Sequence, residues 1–152
     1  MGSNVIIIQQ DSEIVLAEWP DGESPIFSNC ALQRAKLTHL HLPRSQFQEC
    51  DLKGSVITYC QLDGSIFIKS FLRQCSIAYC SLIDTDFSGA DLSGSNLSGS
   101  NLSGANLEDC NFTGVTYDNS TIWPKNFLPP DPETHNIDVV FKRLSDRGKN
   151  KS

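Results

Sequence analysis

Large apolar residues recur at every fifth position over about two thirds of the chain. From Phe27 to Phe127 all 21 of these positions hold Leu, Ile, Phe or Tyr, and the residue two places earlier is small in 18 of the 21 frames. A helix repeats about every 3.6 residues and a flat strand every two, so neither keeps a period of five on one face. The pattern predicts short extended pieces joined by corners, without an insertion from Pro25 to Pro129, with the central and the small residue of each frame inward.

A longer period of 20 residues appears in the aromatic positions. The series is Phe27, Phe47, Phe67 and Phe87, then Leu107, and then Phe127. Four frames therefore make one coil, and frames 25–124 make five coils. The phenylalanines are expected to stack as a column along one wall.

The most regular frames lie in the second half of the repeat. Residues 90–94 read Ala-Asp-Leu-Ser-Gly, the next two frames read Ser-Asn-Leu-Ser-Gly, and residues 105–109 read Ala-Asn-Leu-Glu-Asp. These frames resemble the pentapeptide-repeat family, whose frames follow Ala-(Asp/Asn)-Leu-x-x. The resemblance implies an all-β fold, a right-handed quadrilateral parallel β-helix (a pentapeptide-repeat solenoid). The segment Trp123–Pro129 is similar to endings of cyanobacterial members.

The last place of each frame predicts the type of corner. Glycine, which adopts a positive φ without steric cost, favours type II corners from Phe87 to Gly114. Bulkier residues in the same place favour type I corners earlier in the chain, at Arg34, His39, Arg44, Glu49, Tyr59 and Lys69.

The repeat divides the chain into three parts: an N-terminal cap (1–24), the β-helix (25–129), and a C-terminal helix with a basic tail (130–152). In the cap, Val5–Gln9 and Glu13–Trp19 read as two strands over the first coil, and a helix over Ser12–Ala17 is the alternative. Near Asn136 begins a helix with one apolar face, which either caps the last coil or pairs with a second subunit. That face consists of Ile137, Val140, Phe141 and Leu144.

Every cysteine falls in the small inward place of a frame. The six are Cys30, Cys50, Cys60, Cys75, Cys80 and Cys110. Disulfide or zinc chemistry does not demand spacings in multiples of five, so we interpret them as buried reduced thiols. Their register favours a reducing compartment and predicts a cytoplasmic protein. No metal, cofactor or catalytic set is expected, so the chain is predicted not to be an enzyme.

Charge narrows the class of partner. The net charge is -6, which disfavours ordinary nucleic-acid binding, and no apolar run has the length of a membrane span. The charge is uneven: Pro25–Arg73 carries six Lys or Arg against three acids, whereas Gln74–Pro124 carries six acids and no Lys or Arg. The sequence therefore predicts a rod that is basic in its first half and acidic in its second.

Two surface features are candidates for partner binding. One is a corner column of side chains 20 residues apart, formed by His39, Tyr59 and Tyr79. The other is an outward apolar set in the third coil, formed by Ile66, Ile68, Phe71 and Ile83. Exposed apolar clusters mark interaction sites, while tolerated stacking or coverage by a cap is the alternative.

The fold offers walls and columns of side chains, and the residues supply no catalytic set. We therefore predict a non-enzymatic protein-interaction or scaffold protein, a monomer or a homodimer, with a protein partner and no direct contact with nucleic acid or membrane. The alternative is a DNA mimic that binds DNA gyrase or topoisomerase, as the resemblance to quinolone-resistance members implies. The spread of the acids over all four walls and the basic first half argue against that alternative.

Overall fold

Each turn of the chain lies on the turn 20 residues earlier. In this computed structural model, which describes residues 3–10, 13–20 and 22–131, parallel bridges join positions 20 apart, from Ile26 with Gln46 onward to Asn96 with Thr116. The central residue of a frame donates its N–H to a carbonyl in the next turn, as Phe47 does to Ile66 at 2.7 Å. The chain is therefore the β-helix solenoid that the five-residue period predicts.

Four strands are longer than a single bridge. They are β1 (Ser3–Gln10), β2 (Glu13–Pro20), β3 (Ala35–Thr38) and β4 (Val56–Thr58), in the sheet order β2-β1-β3-β4. The first pair is an antiparallel hairpin, and the last pair is parallel. No helix occurs in the described part of the chain.

The hairpin covers one open edge of the first coil. Gln9 and Gln10 at the end of β1 pair antiparallel with Lys36 and Ala35 of β3, whose other edge is taken by β4. Of the two alternatives for the N-terminal cap, the structure has the two strands, each slightly longer than predicted. Pairing matters here because an open strand edge otherwise invites association with another chain.

The frames form four walls, numbered in chain order. Wall 1 starts with residues 25–29, wall 2 with 30–34, wall 3 with 35–39 and wall 4 with 40–44, and each continues every 20 residues. The last residue of a frame forms the corner with the same number as its wall. From Phe27 to Leu107 every central residue is buried.

The phenylalanine column of wall 1 is a continuous stack. Ring centroids are 4.7 Å apart for Phe27 and Phe47, 4.9 Å for Phe47 and Phe67, and 5.0 Å for Phe67 and Phe87. This spacing equals the distance between stacked strands, so the backbone repeat itself imposes the stacking.

Every corner from residue 29 to residue 114 has a positive φ at its last residue. The angle is 55° to 59° at side-chain-bearing residues and 69° to 70° at glycine. A type I turn needs a φ near -90° at this third turn position. The prediction of type I corners at Arg34, His39, Arg44, Glu49, Tyr59 and Lys69 is therefore wrong.

The cause lies in the hydrogen bonds between turns. Each corner N–H donates to the next coil, as Arg44 does to Asp63 and Gly64 does to Ile83, both at 2.8 Å. These bonds are the same at bulky and glycine corners, so the stack imposes one corner conformation on every residue type.

The five-residue period breaks once, after Thr116. The bridge of Asn96 with Thr116 spans 20 residues, but the next one, Asn101 with Ile122, spans 21. One extra residue therefore lies between Thr116 and Ile122, and Ile122, predicted to point inward, is 50% exposed. The uninterrupted period to Pro129 is the part of the repeat prediction that is wrong.

Asp118 explains the extra residue. Its carboxylate accepts the N–H of Ser120 at 3.0 Å and that of Gly99 at 3.1 Å, and its carbonyl accepts the N–H of Thr121 at 3.2 Å. In the preceding frames the corresponding turn bond goes to the central residue's carbonyl. The turn thus closes one residue later than the period requires.

Beyond the break, aromatic side chains close the end of the solenoid. Phe127 does not resume the wall 1 column, because its ring lies 5.6 Å from Phe112 and 5.3 Å from Trp123. Tyr117 meets Trp123 edge to face at 5.1 Å, and its hydroxyl donates to the carbonyl of Pro130 at 2.5 Å. The C-terminal helix near Asn136 and the basic tail lie outside the described residues. They remain predictions, as do the five-coil count and the right-handedness.

Candidate functional site

Three exposed side chains on corner 3 form an ordered column. The rings of His39 and Tyr59 are 5.0 Å apart and inclined by 4°, and those of Tyr59 and Tyr79 are 5.1 Å apart and inclined by 11°. Tyr59 and Tyr79 are 54% and 52% exposed, so more than half of each side chain meets solvent. The structure thus brings together all three residues that the spacing of 20 predicts.

The column ends on a glycine, Gly99. A Cβ placed on this residue would lie 2.4 Å from Cδ1 and 2.7 Å from Cε1 of Tyr79. The Tyr79 ring therefore occupies the space that any other residue at position 99 would need. Below the ring, the Gly99 N–H donates to Asp118 at 3.1 Å, so the seat of the column is held in place.

Polar and apolar groups flank the column. On wall 4, Nδ1 of His41 is hydrogen-bonded to Oε1 of Gln61, and on wall 3 the side chain of Val56 is 36% exposed. The corner therefore presents two stacked phenols beside amide, imidazole and aliphatic groups, a mixture typical of protein interfaces.

The apolar set of the third coil is divided among three walls. Ile66 and Ile68 lie on wall 1, Phe71 on wall 2 and Ile83 on wall 4. Phe71 is 51% exposed, whereas the three isoleucines are partly covered. The structure thus keeps Ile66 with Ile68 and places the other two on different walls.

The structure also assembles charges that the residue spacing did not single out. Arg34, Lys36, Lys53 and Arg73 are all exposed and all adjoin corner 2. Their backbones are neighbours: Arg34 donates its N–H to the Lys53 carbonyl at 2.8 Å, and Gly54 donates to the Arg73 carbonyl at 2.9 Å. The available signal was the 20-residue spacing of Lys53 and Arg73, with Arg34 and Lys36 flanking the same corner one coil earlier.

Acidic residues of the second half gather on the opposite side. Asp86 and Glu108 lie on wall 1, with Asp84 and Asp109 at the corners that bound it. Asp86 accepts the backbone N–H of Ser88 at 2.9 Å. The consensus Asp or Asn of the repeat thus closes a local turn in addition to carrying charge.

The cysteines are unoxidised and face inward. Thiols donate to the carbonyl of a central residue 23 positions earlier, as Cys75 does to Leu52 at 2.9 Å and Cys110 to Phe87 at 2.8 Å. Burial raises the pKa of Cys50 to about 11 and those of Cys75 and Cys110 to about 12. The hydrogen bond with the Cys60 thiol, together with burial, raises the pKa of Cys80. These thiols are therefore protonated and poor nucleophiles at neutral pH.

Inward polar groups are used up by the fold. Among residues 20 and 22–131, every buried side-chain nitrogen and oxygen has a hydrogen-bond partner. Within the described ranges no group of three or more His, Cys, Asp or Glu is placed to hold a metal ion. The same ranges contain no helix with the length and apolar content needed to cross a bilayer. The surface columns are thus the features of the described chain on which a function can be argued.

Comparison with known families agrees with the geometry. The family model described as pentapeptide repeats matches in eight copies, at residues 26–58, 57–94 and 80–116, which is more than half of the chain. A comparison with curated proteins found no match.

Several solved structures are similar to this chain. Rfr23, a pentapeptide repeat protein from the cyanobacterium Cyanothece 51142, is 20% identical with a TM-score of 0.29, and the match covers 64% of this chain and 90% of Rfr23. HetL, involved in heterocyst differentiation regulation in Nostoc sp. strain PCC 7120, is 23% identical with a TM-score of 0.37, covering 63% of this chain and 46% of HetL. Full-length QnrB1, a plasmid-mediated fluoroquinolone resistance protein, is 16% identical with a TM-score of 0.26, covering 78% of this chain and 87% of QnrB1.

Proposed function

The chain belongs to the pentapeptide-repeat family, and from this premise we propose that it is a non-enzymatic protein-interaction or scaffold protein that binds a protein partner through the corner 3 column. The observation that carries the proposal is the parallel stack of His39, Tyr59 and Tyr79, with both phenols more than half exposed. We propose a reducing compartment such as the cytoplasm, without direct contact with nucleic acid or membrane. Monomer and homodimer are both compatible with this role.

Two physical properties suit the column to binding. Stacked aromatic pairs gain about 0.5 to 1.5 kcal/mol beyond area burial, so the rings hold their positions before a partner arrives. Rings that are already ordered lose little entropy on binding, and tyrosine is enriched where interfaces gain most of their energy. Tyr59 and Tyr79 would be the anchors, with Gly99 setting the position of the lower ring.

Affinity capture with matched variants tests this role. The full chain is immobilised as the original protein, as Tyr59→Ser/Tyr79→Ser, and as Glu49→Ser/Lys69→Ser, which changes the same corner place on the same two coils at corner 1. We expect a protein from the source cell to be retained by the original and the corner 1 variant and reduced at least about tenfold by the corner 3 variant.

Thermal unfolding of all three proteins serves as the folding control. Retention of the same proteins in equal amounts by a folded corner 3 variant would refute the role of the column. Light scattering on the original protein would separately decide between monomer and homodimer.

The alternative is a DNA mimic directed at DNA gyrase or topoisomerase. It is favoured by one observation, the gathering of Asp84, Asp86, Glu108 and Asp109 around wall 1. The basic residues of the first half oppose it, since they would repel a DNA-binding saddle. We expect no effect on supercoiling by gyrase with or without a fluoroquinolone, and protection or inhibition at low micromolar protein would establish the alternative instead.

A further inference from the structure

Four of the six Lys and Arg residues between Pro25 and Arg73 adjoin corner 2. We propose that this basic surface, formed by Arg34, Lys36, Lys53 and Arg73, docks an acidic protein segment that carries an apolar side chain. The inference rests on the proposed interaction role and deepens it by naming the chemistry of one partner and a second surface distinct from the corner 3 column.

Backbone hydrogen bonds fix the spacing of these cations. Arg34 lies beside Lys53, and Gly54 beside Arg73, through the bonds of 2.8 and 2.9 Å described above. A Cβ on Gly54 would lie 3.4 Å from Cγ of Arg34, so the arginine side chain leans along the axis over the glycine corner. The cations therefore form a strip along the solenoid axis, to which an extended segment could lie parallel.

Two acids share this surface and define its net charge. Arg73 Nε lies 3.5 Å from Asp91 Oδ2. Asp51 accepts from Nε2 of Gln33 at 2.7 Å and from the N–H of Lys53 at 3.1 Å. Both carboxylates belong to the opposite edge of wall 2, and none of the corner 2 positions themselves is acidic. The strip next to the corner thus keeps a positive excess in a protein of net charge -6.

Apolar groups lie within the same strip. Phe71, which is 51% exposed, bridges to Asp51 and Asp91 on wall 2, and Val56, 36% exposed, pairs with Lys36 on wall 3. Exposed apolar groups framed by charges of one sign are suited to a ligand with an apolar anchor between charges of the other sign. Such a ligand is an acidic peptide segment.

A nucleic acid fits this surface less well. Four cations neutralise few phosphates, and the carboxylates of Asp51 and Asp91 would face the backbone of the nucleic acid. The acids of the second half of the rod add repulsion along a long polyanion. A short segment that ends near the strip avoids them.

Two purified components test the inference. The probe is a fluorescein-labelled peptide with leucine and phenylalanine between runs of glutamate, and binding is followed by fluorescence anisotropy. We expect Lys53→Glu/Arg73→Glu to weaken binding by about tenfold or more, because two attractions become repulsions. The control Arg44→Glu/Lys69→Glu makes the same change of charge at corners 4 and 1, and it should weaken binding by less than about threefold.

The outcomes are separable. Equal weakening by both variants, or no binding of the peptide by the folded original protein, would overturn the proposal. Tighter binding of single-stranded oligothymidylate at the same site would also overturn it, in favour of a nucleic-acid surface. A peptide with serine in place of the apolar pair should bind less tightly than the probe. Because no lysate is used, failure here leaves the capture result at corner 3 unaffected, and the reverse also holds.

Discussion

At the scale of single residues, the small inward place of each frame supplies a hydrogen-bond donor as well as a small volume. Ser55 donates to the Leu32 carbonyl at 2.9 Å, Ser100 to Ile77 at 2.8 Å, and Cys80 to Ile57 at 3.0 Å. Hydroxyl and thiol groups thus perform the same task one coil apart. This accounts for cysteine in the core better than apolar packing alone.

Cys75 allows the donor to be separated from the volume. Ser55 and Ser95 lie directly below and above it in the same column, so Cys75→Ser should change the free energy of unfolding by less than about 0.5 kcal/mol. Cys75→Val fills similar space but removes the bond to the Leu52 carbonyl, and should cost about 1 kcal/mol. Urea denaturation measures both values, and equal stability of the two variants would contradict the donor role.

At the scale of the element, corners are the strained part of the coil. A positive φ is easy for glycine and costs other residues roughly 1 kcal/mol, yet 11 of the 18 corners from 29 to 114 carry a side chain there. The ladder of hydrogen bonds between turns offsets this cost at every step. Stability therefore depends on stacking more than on local turn preference.

Corner 1 offers a simple test at Glu49, where φ is 56°. Glu49→Gly should raise the free energy of unfolding by about 0.5 to 1 kcal/mol, because the left-handed conformation no longer opposes a Cβ. Glu49→Ala removes the same carboxylate but keeps the Cβ, and should give no such gain. Melting temperatures of the three proteins give the answer, and a gain in the alanine variant equal to that in glycine would assign the effect to charge.

The sequence predicts elements well where one residue type has one explanation. The aromatic spacing of 20 placed Phe27 to Phe87 in one stack because no other register satisfies it. Ile122 and Phe127 were misplaced because Trp123 and Leu128, one residue on, are also large and apolar, so the pattern fits both registers. The corners were misassigned because local preference is weaker than the hydrogen bonds between turns.

Surface predictions divide in the same way. The corner 3 column follows directly from the spacing of His39, Tyr59 and Tyr79. The basic surface at corner 2 joins residues of two different walls across a corner, so the coiled backbone is needed to see that Arg34 and Lys36 flank the column of Lys53 and Arg73.

At the scale of the whole molecule, buried thiols link stability to alkaline pH. Burial raises the pKa of Cys50 to about 11 and those of Cys75 and Cys110 to about 12, from an ordinary value of 9.0. Above pH 9 the unfolded chain releases protons that the folded chain retains. The free energy of unfolding should therefore be constant with respect to these groups below pH 9 and decrease as pH rises through 11 to 12.

Chemical denaturation at a series of pH values from neutral to strongly alkaline measures this loss. A variant with serine at positions 50, 75 and 110 keeps the inward donors and has no thiols at these places, so its stability should depend less steeply on pH in this range. Identical pH profiles for the two proteins would show that other groups, such as tyrosine and lysine, cause the alkaline loss.

The break after Thr116 also bears on how such a chain can change in length. Before it, adding or deleting 20 residues returns every later side chain to its original wall, whereas adding a single frame preserves the core but turns everything that follows by one wall. Tyr79 would then no longer lie above Gly99, and Arg73 would no longer continue the line of Lys53. Viable length variants of this surface should therefore differ by whole coils, with their boundary before Asp118, where the turn is locked to its own carboxylate.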